Sequence, residues 1–291
     1  MERQHDHAHG REHGERRGGP PVRPQRVLVV ERTERLSPHL VRLHLGGPGF
    51  REFLDGARQE NLARTDKYVK LLIARPGLGL EPPYDLEALR TTLPREDLPV
   101  RRTYTVRAID EAAGTMAVDF VVHGDDGVAG PWAAAATPGD VVALSGPGAK
   151  YAPSTDPDVT HVLVADESAL PATAAALEAM PPDASGLALI EVPDAADVLP
   201  LRAPTGVDVR WLPRSGSGAA SGTLLVDAVE GLERPAGRVQ VFAHGERGAM
   251  DRVRAVVEER WAVPREDLSL SAYWALGATE DRFQAGKRER R

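Results

Sequence analysis

The chain has 291 residues, of which 42% are hydrophobic and 27% charged, with a formal net charge of −7. This length and composition are typical of a globular protein with two domains. No apolar run approaches the roughly 20 residues that a membrane-spanning helix needs, and the polar N-terminus shows no secretory signal. The absence of cysteine excludes disulfides, thiolate metal sites and cysteine nucleophiles. The negative charge argues against general nucleic-acid binding, and we expect a cytoplasmic protein.

Residues 1–24 are polar, rich in His, Arg and Gly, and have no apolar periodicity, which predicts a disordered tail. Four histidines in this tail could form a weak metal cluster: His5, His7, His9 and His13. A solvated tail is the favoured interpretation, because flexible histidines lack the neighbouring groups that fix a metal site. We therefore expect no resident metal. A second, charged tail is predicted over residues 284–291.

Residues 25–154 contain short apolar bursts with the alternation of β-strands, separated by Gly- and Pro-rich turns. Several short strands without long helices between them predict an antiparallel β-barrel. One long excursion, residues 76–99, interrupts the series and must be functional or fold locally. The predicted strands cover residues 27–30, 41–45, 68–73, 104–109, 116–122 and 141–144.

Residues 155–283 alternate apolar strands with helical stretches, which predicts a parallel sheet with helices on its faces. The strands are predicted at residues 161–165, 187–192, 207–211, 239–243 and 269–273, and the helices at 172–180 and 250–261. Residues 215–222 read as a flexible Ser/Gly/Ala loop. An antiparallel barrel followed by an α/β parallel sheet is a two-domain flavin reductase layout.

Residues 102–105 read Arg-Thr-Tyr-Thr and open a predicted strand. FAD requires a cation for its pyrophosphate, a flat ring against the isoalloxazine and a small hydroxyl near N5. Arg102, Tyr104 and Thr105 supply these groups, and strand alternation puts Arg102 and Tyr104 on the same face. The alternative is an edge strand with an incidental exposed arginine and a core tyrosine.

The next strand runs into a turn at His123, after which small residues start an Ala-rich helix. Backbone N–H groups at such a helix start can bind diphosphate oxygens. His123 by itself is more commonly a buried or turn histidine. This segment adds further candidates for the cofactor site: Val121, His123, Gly127, Ala129, Gly130 and Trp132.

Taken in order, these segments resemble the siderophore-interacting proteins, FAD-dependent reductases of ferric siderophores. The resemblance rests on residues 68–71 (Tyr-Val-Lys-Leu), 102–107, 119–124, 146–148, 166–172 (Asp-Glu-Ser-Ala-Leu-Pro-Ala), 244–246 and 273–274. It implies a ferredoxin-reductase-like architecture, with an FAD-binding barrel at 25–154 and an NAD(P)H-binding domain at 155–283.

The resemblance also implies residue roles. Arg102, Tyr104 and Thr105 would contact FAD, and Lys70 would face the substrate side of the flavin, where a cation helps to hold an acidic ferric siderophore. An ordinary exposed strand lysine is the alternative for Lys70. Further roles fall in the second domain. Asp166, Glu167 and Ser168 would lie at its mouth beside the flavin, and His244, Gly245 and Glu246 would lie at the nicotinamide.

The donor would be NADH or NADPH. Arg210 and Arg214 flank the strand around Trp211, where a cation could meet a 2′-phosphate, which favours NADPH slightly. No acid–base residue is required, because the cofactor carries the chemistry.

Two features depart from the family pattern. Ala275, Leu276, Gly277 and Ala278 follow the Tyr-Trp pair where basic residues are typical, and Gly130-Pro131 stands where serine is frequent. The first departure weakens the siderophore assignment. Two alternatives therefore stay open: a flavin reductase with a different acceptor, and a non-catalytic flavin- or siderophore-binding protein.

Overall fold

The computed structural model describes residues 24–124, 127–279, 282, 283 and 286. The predicted tail over residues 1–24, including its histidine cluster, lies outside the described residues except for Pro24. The predicted tail over residues 284–291 does so as well, except for Gly286. In the described part of the chain, no helix has the length and apolar character needed to cross a membrane.

The first half forms a closed barrel of six antiparallel strands in the order β1-β2-β5-β4-β3-β6, which confirms the predicted fold class. Alternate residues point inward and make one apolar core, with Leu43, Val69, Leu71, Val118 and Phe120 all fully buried. The strands are β1 Arg26–Ser37, β2 Leu40–Gly46, β3 Tyr68–Ile73, β4 Val100–Asp110, β5 Thr115–Val121 and β6 Val141–Gly148.

Four helices join the barrel strands: α1 Pro48–Asp55, α2 Gln59–Leu62, α3 Leu86–Thr92 and α4 Ala129–Ala135. The sequence predicted only a turn where α1 begins, because three glycines and a proline, at residues 46–49, precede its apolar face. Pro48 is compatible with a first helical turn, since the missing N–H has no helical partner there. Phe50, Phe53 and Leu54 then pack this helix into the barrel core.

The long excursion between β3 and β4 folds locally, one of the two outcomes predicted for it. Asp85 caps α3 by accepting hydrogen bonds from the N–H groups of Glu87 and Ala88. Tyr84 packs on the outside of the barrel with Leu72 and Ala143. The excursion is therefore a structured part of the barrel's outer surface.

The second half is a parallel sheet in the order β11-β10-β7-β8-β9, as predicted. Its central strand β7 is almost entirely buried, as expected for a strand that is covered on both faces. Helix α6 follows the loop at residues 215–222 and was not predicted. The elements are β7 Val159–Ala165, α5 Leu170–Ala179, β8 Ser185–Val192, β9 Gly206–Pro213, α6 Thr223–Glu230, β10 Arg238–Glu246, α7 Arg247–Arg254, a π-helical turn at Ala255–Arg260 and β11 Leu268–Trp274.

Asp197 joins the sheet to the barrel. Its Oδ1 accepts hydrogen bonds from the Ser37 hydroxyl (2.7 Å) and the His39 backbone N–H (3.0 Å), and its Oδ2 lies 2.7 Å from His39 Nδ1. Burial alone would raise the pKa of Asp197, but the hydrogen bonds from Ser37 and His39 outweigh burial and lower it. Arg107 and Glu178 add a second bridge between the two halves.

We predict that Asp197→Ala lowers the free energy of unfolding by about 1.5–3 kcal/mol at pH 7, as expected for hydrogen bonds to a charged acceptor. The pKa of Asp197 is lower in the folded protein than the value of about 4 of an unfolded aspartate, so this stabilisation is complete above that pH and is lost as the pH falls below it. Chemical denaturation at several pH values measures both effects. Asp183→Ala, at an exposed aspartate, is the control. Equal stability of the two variants at pH 7 would contradict the role of Asp197.

Candidate functional site

A cleft of about 2420 Å³ runs between the barrel and the carboxyl ends of the parallel strands. This volume exceeds the range of about 300–1,000 Å³ that is usual for one small ligand, so the cleft has room for a large cofactor and a second molecule. Both halves of the chain line it, and most of the predicted site residues are among the lining side chains: Lys70, Arg102, Tyr104, Thr105, Val121, His123, Gly127, Ala129, Gly130, Glu167, Ser168 and His244.

The pairing of β3 with β4 determines which side chains share a face. Lys70 lies opposite Thr103, and Tyr68 lies opposite Thr105. Directly paired residues in an antiparallel ladder point to the same side, so these four side chains form one surface, which we call the ladder face. Arg102 pairs with Leu71 and Tyr104 with Val69, so Arg102 and Tyr104 share the opposite side of the ladder.

The aromatic ring of Phe120 packs against the ring of Tyr104. The centroid of the Tyr104 ring lies 4.3 Å from that of Phe120, and Phe120 in turn lies 5.8 Å from Trp132 in an edge-on arrangement. Trp132 therefore packs in the layer beneath the cleft wall and does not line the cleft. A half-buried, supported tyrosine ring on the cleft wall fits the flat isoalloxazine that the sequence predicted.

The start of α4 presents backbone to the cleft. No side chain caps this helix, and Gly127 has a positive φ of 82°. A Cβ at position 130 would come within 3.3 Å of the Val121 carbonyl oxygen, so glycine keeps strand and helix close together. Half-buried Arg102 lies in the same cleft. Its guanidinium and the backbone N–H groups at the start of α4 are hydrogen-bond donors that suit a pyrophosphate.

Asp166, predicted at the mouth of the second domain, lies beneath it and is fully buried. Its Oδ1 accepts hydrogen bonds from the Ser168 backbone N–H (2.9 Å) and hydroxyl (2.5 Å). Its Oδ2 accepts from the Glu246 backbone N–H and the Trp274 indole N–H, both at 2.8 Å. Burial first, and then the charge of Glu167, raise the pKa of Asp166 to about 6.

The predicted nicotinamide residues on β10 divide into two groups. His244 lines the cleft, stacks 4.0 Å from Phe242 and bonds through Nε2 to the Ser269 hydroxyl. Gly245 and Glu246 instead support the site. A Cβ at position 245 would come within 2.7 Å of Asp166 Oδ2, and the Glu246 carboxylate accepts hydrogen bonds from the N–H groups of Ala249 and Leu276.

The two predicted 2′-phosphate cations do not line the cleft and are already paired. Arg214 forms two hydrogen bonds to Glu167, at 2.9 and 3.0 Å, and one of 2.9 Å to Glu191. Arg210 pairs with Asp208 on the surface. Arg214 holds Glu167 in place in this arrangement, and the slight preference for NADPH drawn from these arginines stays a prediction.

Sequence reasoning gave no site role to two residues that line the cleft. Tyr273 lies beside Thr105, where the second domain meets the ladder face, and burial raises the pKa of the Tyr273 hydroxyl. Buried Asp66 accepts hydrogen bonds of 2.8 Å from the N–H groups of Lys150 and Tyr151, at the exit from the barrel. Tyr273 was visible as part of a motif, whereas Asp66 stands alone before β3 and gave no signal.

Within the described ranges, no group of three or more His, Asp or Glu residues is arranged to hold a metal ion.

Comparison with known families agrees with this geometry. Residues 29–151 match the model of the siderophore-interacting FAD-binding domain, and residues 159–277 match that of the siderophore-interacting protein. The uncharacterized protein Rv2895c of Mycobacterium tuberculosis is 42% identical over 92% of this chain and 96% of its own length. The ferric vibriobactin reductase ViuB of Vibrio cholerae is 30% identical over 89% and 92%. The NADPH-dependent ferric-chelate reductase of Escherichia coli is 35% identical over 66% and 76%.

Solved structures give the same result. The siderophore-interacting protein SipS of Aeromonas hydrophila superposes with a TM-score of 0.74 at 30% identity, covering 92% of this chain and 98% of that one. The ferredoxin-NADP+ reductase of Plasmodium falciparum shares the fold alone, with a TM-score of 0.60 at 9% identity over 86% of this chain and 96% of that one. The barrel, the parallel sheet and the order of the sequence motifs, together with these matches, show that this chain belongs to the siderophore-interacting protein family.

Proposed function

We propose that the protein is an FAD-dependent reductase that transfers electrons from NAD(P)H to a ferric siderophore and releases the iron as Fe(II). The observation that carries this proposal is the β3–β4 ladder. Lys70 and Thr105 lie on one face of this ladder and Arg102 and Tyr104 on the other, and all four residues line the cleft. The names of ViuB and of the Escherichia coli relative support the ferric acceptor, and the latter name supports a nicotinamide donor.

The barrel residues fit FAD. Arg102 offers a charge-assisted bond to the pyrophosphate, and the uncapped start of α4 adds backbone donors. Tyr104, supported by Phe120, provides a flat surface for the ring system. Thr105 places a hydroxyl on the ladder face, where it meets Tyr273 of the second domain.

When bound, FAD would supply the redox chemistry that connects a two-electron donor to a one-electron acceptor. The chain's own residues orient the cofactor and select the acceptor. Lys70 attracts an anionic acceptor to the ladder face. Fe(II) binds less tightly than Fe(III) to the hard oxygen ligands of a siderophore, so reduction favours release.

A second candidate function is a reductase of this fold with an uncharged acceptor. Residues 275–279 line the cleft but contain no basic side chain, and Leu276 is 65% exposed there. This segment offers apolar surface where an anionic chelate would favour a cation.

Anaerobic absorption spectroscopy tests the proposal. The FAD-loaded protein should bleach on addition of NADH or NADPH, and its oxidised spectrum should return when a ferric siderophore is added with a ferrous trap. Bleaching without reoxidation by the siderophore would favour the second candidate function. A protein that binds FAD but is not bleached by either nicotinamide would contradict the proposed donor.

We predict that Arg102→Ala purifies with little FAD while remaining folded. Loss of a charge-assisted bond costs about 1.5–3 kcal/mol, or roughly tenfold to over a hundredfold in affinity. The ratio of flavin to protein absorbance measures occupancy. Arg101→Ala is the matched control, because Arg101 is exposed and lies on the other side of the same strand. If both variants retain full FAD, Arg102 does not contact the pyrophosphate.

We predict that Lys70→Ala raises the KM for an anionic ferric siderophore, by the factor of about 1.5 to 5 that an exposed ion contact of 0.2–1 kcal/mol provides. Flavin reduction by NAD(P)H should not change. The effect should shrink at high salt, because screening weakens the attraction.

Steady-state kinetics with a ferrous trap, at low and high salt, measure the effect of Lys70→Ala. Arg51→Ala removes the same charge from an exposed position on α1, outside the cleft, and should leave KM unchanged. A shift of equal size in the two variants would show that only net charge matters.

A further inference from the structure

The Asp166 carboxylate occupies a nest of four donors at the carboxyl ends of three neighbouring strands. The donors are the backbone N–H and hydroxyl of Ser168, after β7, the backbone N–H of Glu246, at the end of β10, and the indole N–H of Trp274, at the end of β11. All four distances lie between 2.5 and 2.9 Å, and the side chain is fully buried. Gly245 permits the close approach, since a Cβ there would collide with the carboxylate.

In open parallel sheets, a dinucleotide places its diphosphate beyond the carboxyl ends of the strands, on N–H groups at the start of the helix that follows the first strand. In this sheet that place is the turn from β7 into α5. The N–H of Ser168 already bonds to the Asp166 carboxylate, and those of Ala169 and Leu170 bond to the Asp166 carbonyl oxygen. Pro171 has no N–H to offer.

The charges around the nest also oppose a diphosphate. Glu167 lines the cleft directly above Asp166, and Glu191 is fully buried nearby. Arg214 is bonded to both of these glutamates. The Glu246 carboxylate lies on the other side, against the start of α7. Four carboxylates and one arginine therefore lie around this turn, on or directly after β7, β8, β9 and β10, and of the four carboxylates Glu167 lines the cleft.

We propose that the Asp166 carboxylate takes the position that a dinucleotide's diphosphate would otherwise occupy, so that the second domain recognises its electron donor through the nicotinamide end. This inference rests on the proposed function. The residues left to meet the donor are Ser168, His244 and Tyr273, which line the cleft on the side of Thr105. The adenylate half of the donor contributes little to binding.

The first test compares NADH with reduced nicotinamide mononucleotide, which carries the same nicotinamide without the adenylate half. Stopped-flow reduction of the FAD-loaded protein gives a second-order rate constant for each donor. We expect the two constants to agree within about fivefold, which corresponds to about 1 kcal/mol. An advantage of more than about fiftyfold for NADH would overturn the inference, because it would require strong contacts to the adenylate half.

The second test needs no turnover. Calorimetry with 2′,5′-ADP as the probe should show no binding to the wild-type protein tighter than about 1 mM, a weak interaction of roughly −4 kcal/mol. Micromolar binding would overturn the inference. If neither donor reduces the flavin, the proposed function fails, and the calorimetry still decides whether the position is filled.

Asp166→Gly empties the nest and frees its donors. We expect this variant to gain measurable 2′,5′-ADP binding and to prefer NADH over the mononucleotide by about tenfold or more. Trp274→Phe is the control, because it removes one donor and leaves the carboxylate in place. A folded Asp166→Gly variant without either gain would overturn the inference. If circular dichroism shows that Asp166→Gly is unfolded, the inference is decided by the two measurements on the wild-type protein, the comparison of donors and the calorimetry with 2′,5′-ADP.

Discussion

The second domain depends on a buried carboxylate that joins its strands. By accepting hydrogen bonds from Ser168, Glu246 and Trp274, Asp166 ties together the ends of β7, β10 and β11, in addition to the ladder bonds between these strands. Its burial is costly, which the raised pKa of about 6 reflects, and the four donors offset that cost. Because Trp274 follows Tyr273 directly, the same carboxylate helps to fix the tyrosine that reaches across to Thr105.

The barrel contributes to the cleft by a different route. In the barrel, strand alternation separates a largely apolar inner side from the ladder face. The two halves are then held in one arrangement by Asp197 and by the Arg107–Glu178 bridge, and the cleft between them keeps a defined shape. Rigid elements on both sides are the arrangement that a bound cofactor and a second ligand require.

The sequence predicted both sheets and their order in the chain, because period-2 patterns and unbroken apolar runs each indicate one kind of strand. Helix α1 was not predicted because its glycines and proline are equally typical of turns. Helix α6 was not predicted because the Ser/Gly/Ala loop directly before it obscures the helical pattern of its apolar residues. The candidate cleft residues of the barrel followed from local motifs. The burial of Asp166 and the pairing of Arg214 with Glu167 and Glu191 depend on contacts between distant segments, which local patterns do not encode.

The register of β3 with β4 determines which positions of this protein can be substituted during evolution. Lys70 and Thr103 face the cleft, while their neighbours Val69 and Leu71 are fully buried in the core. Substitutions at alternate positions can therefore retune the acceptor surface without disturbing the packing that keeps the barrel folded. A slip of one residue would exchange the two sets and lose both properties at once. The ladder face can thus accept substitutions while the framework beneath it stays constrained.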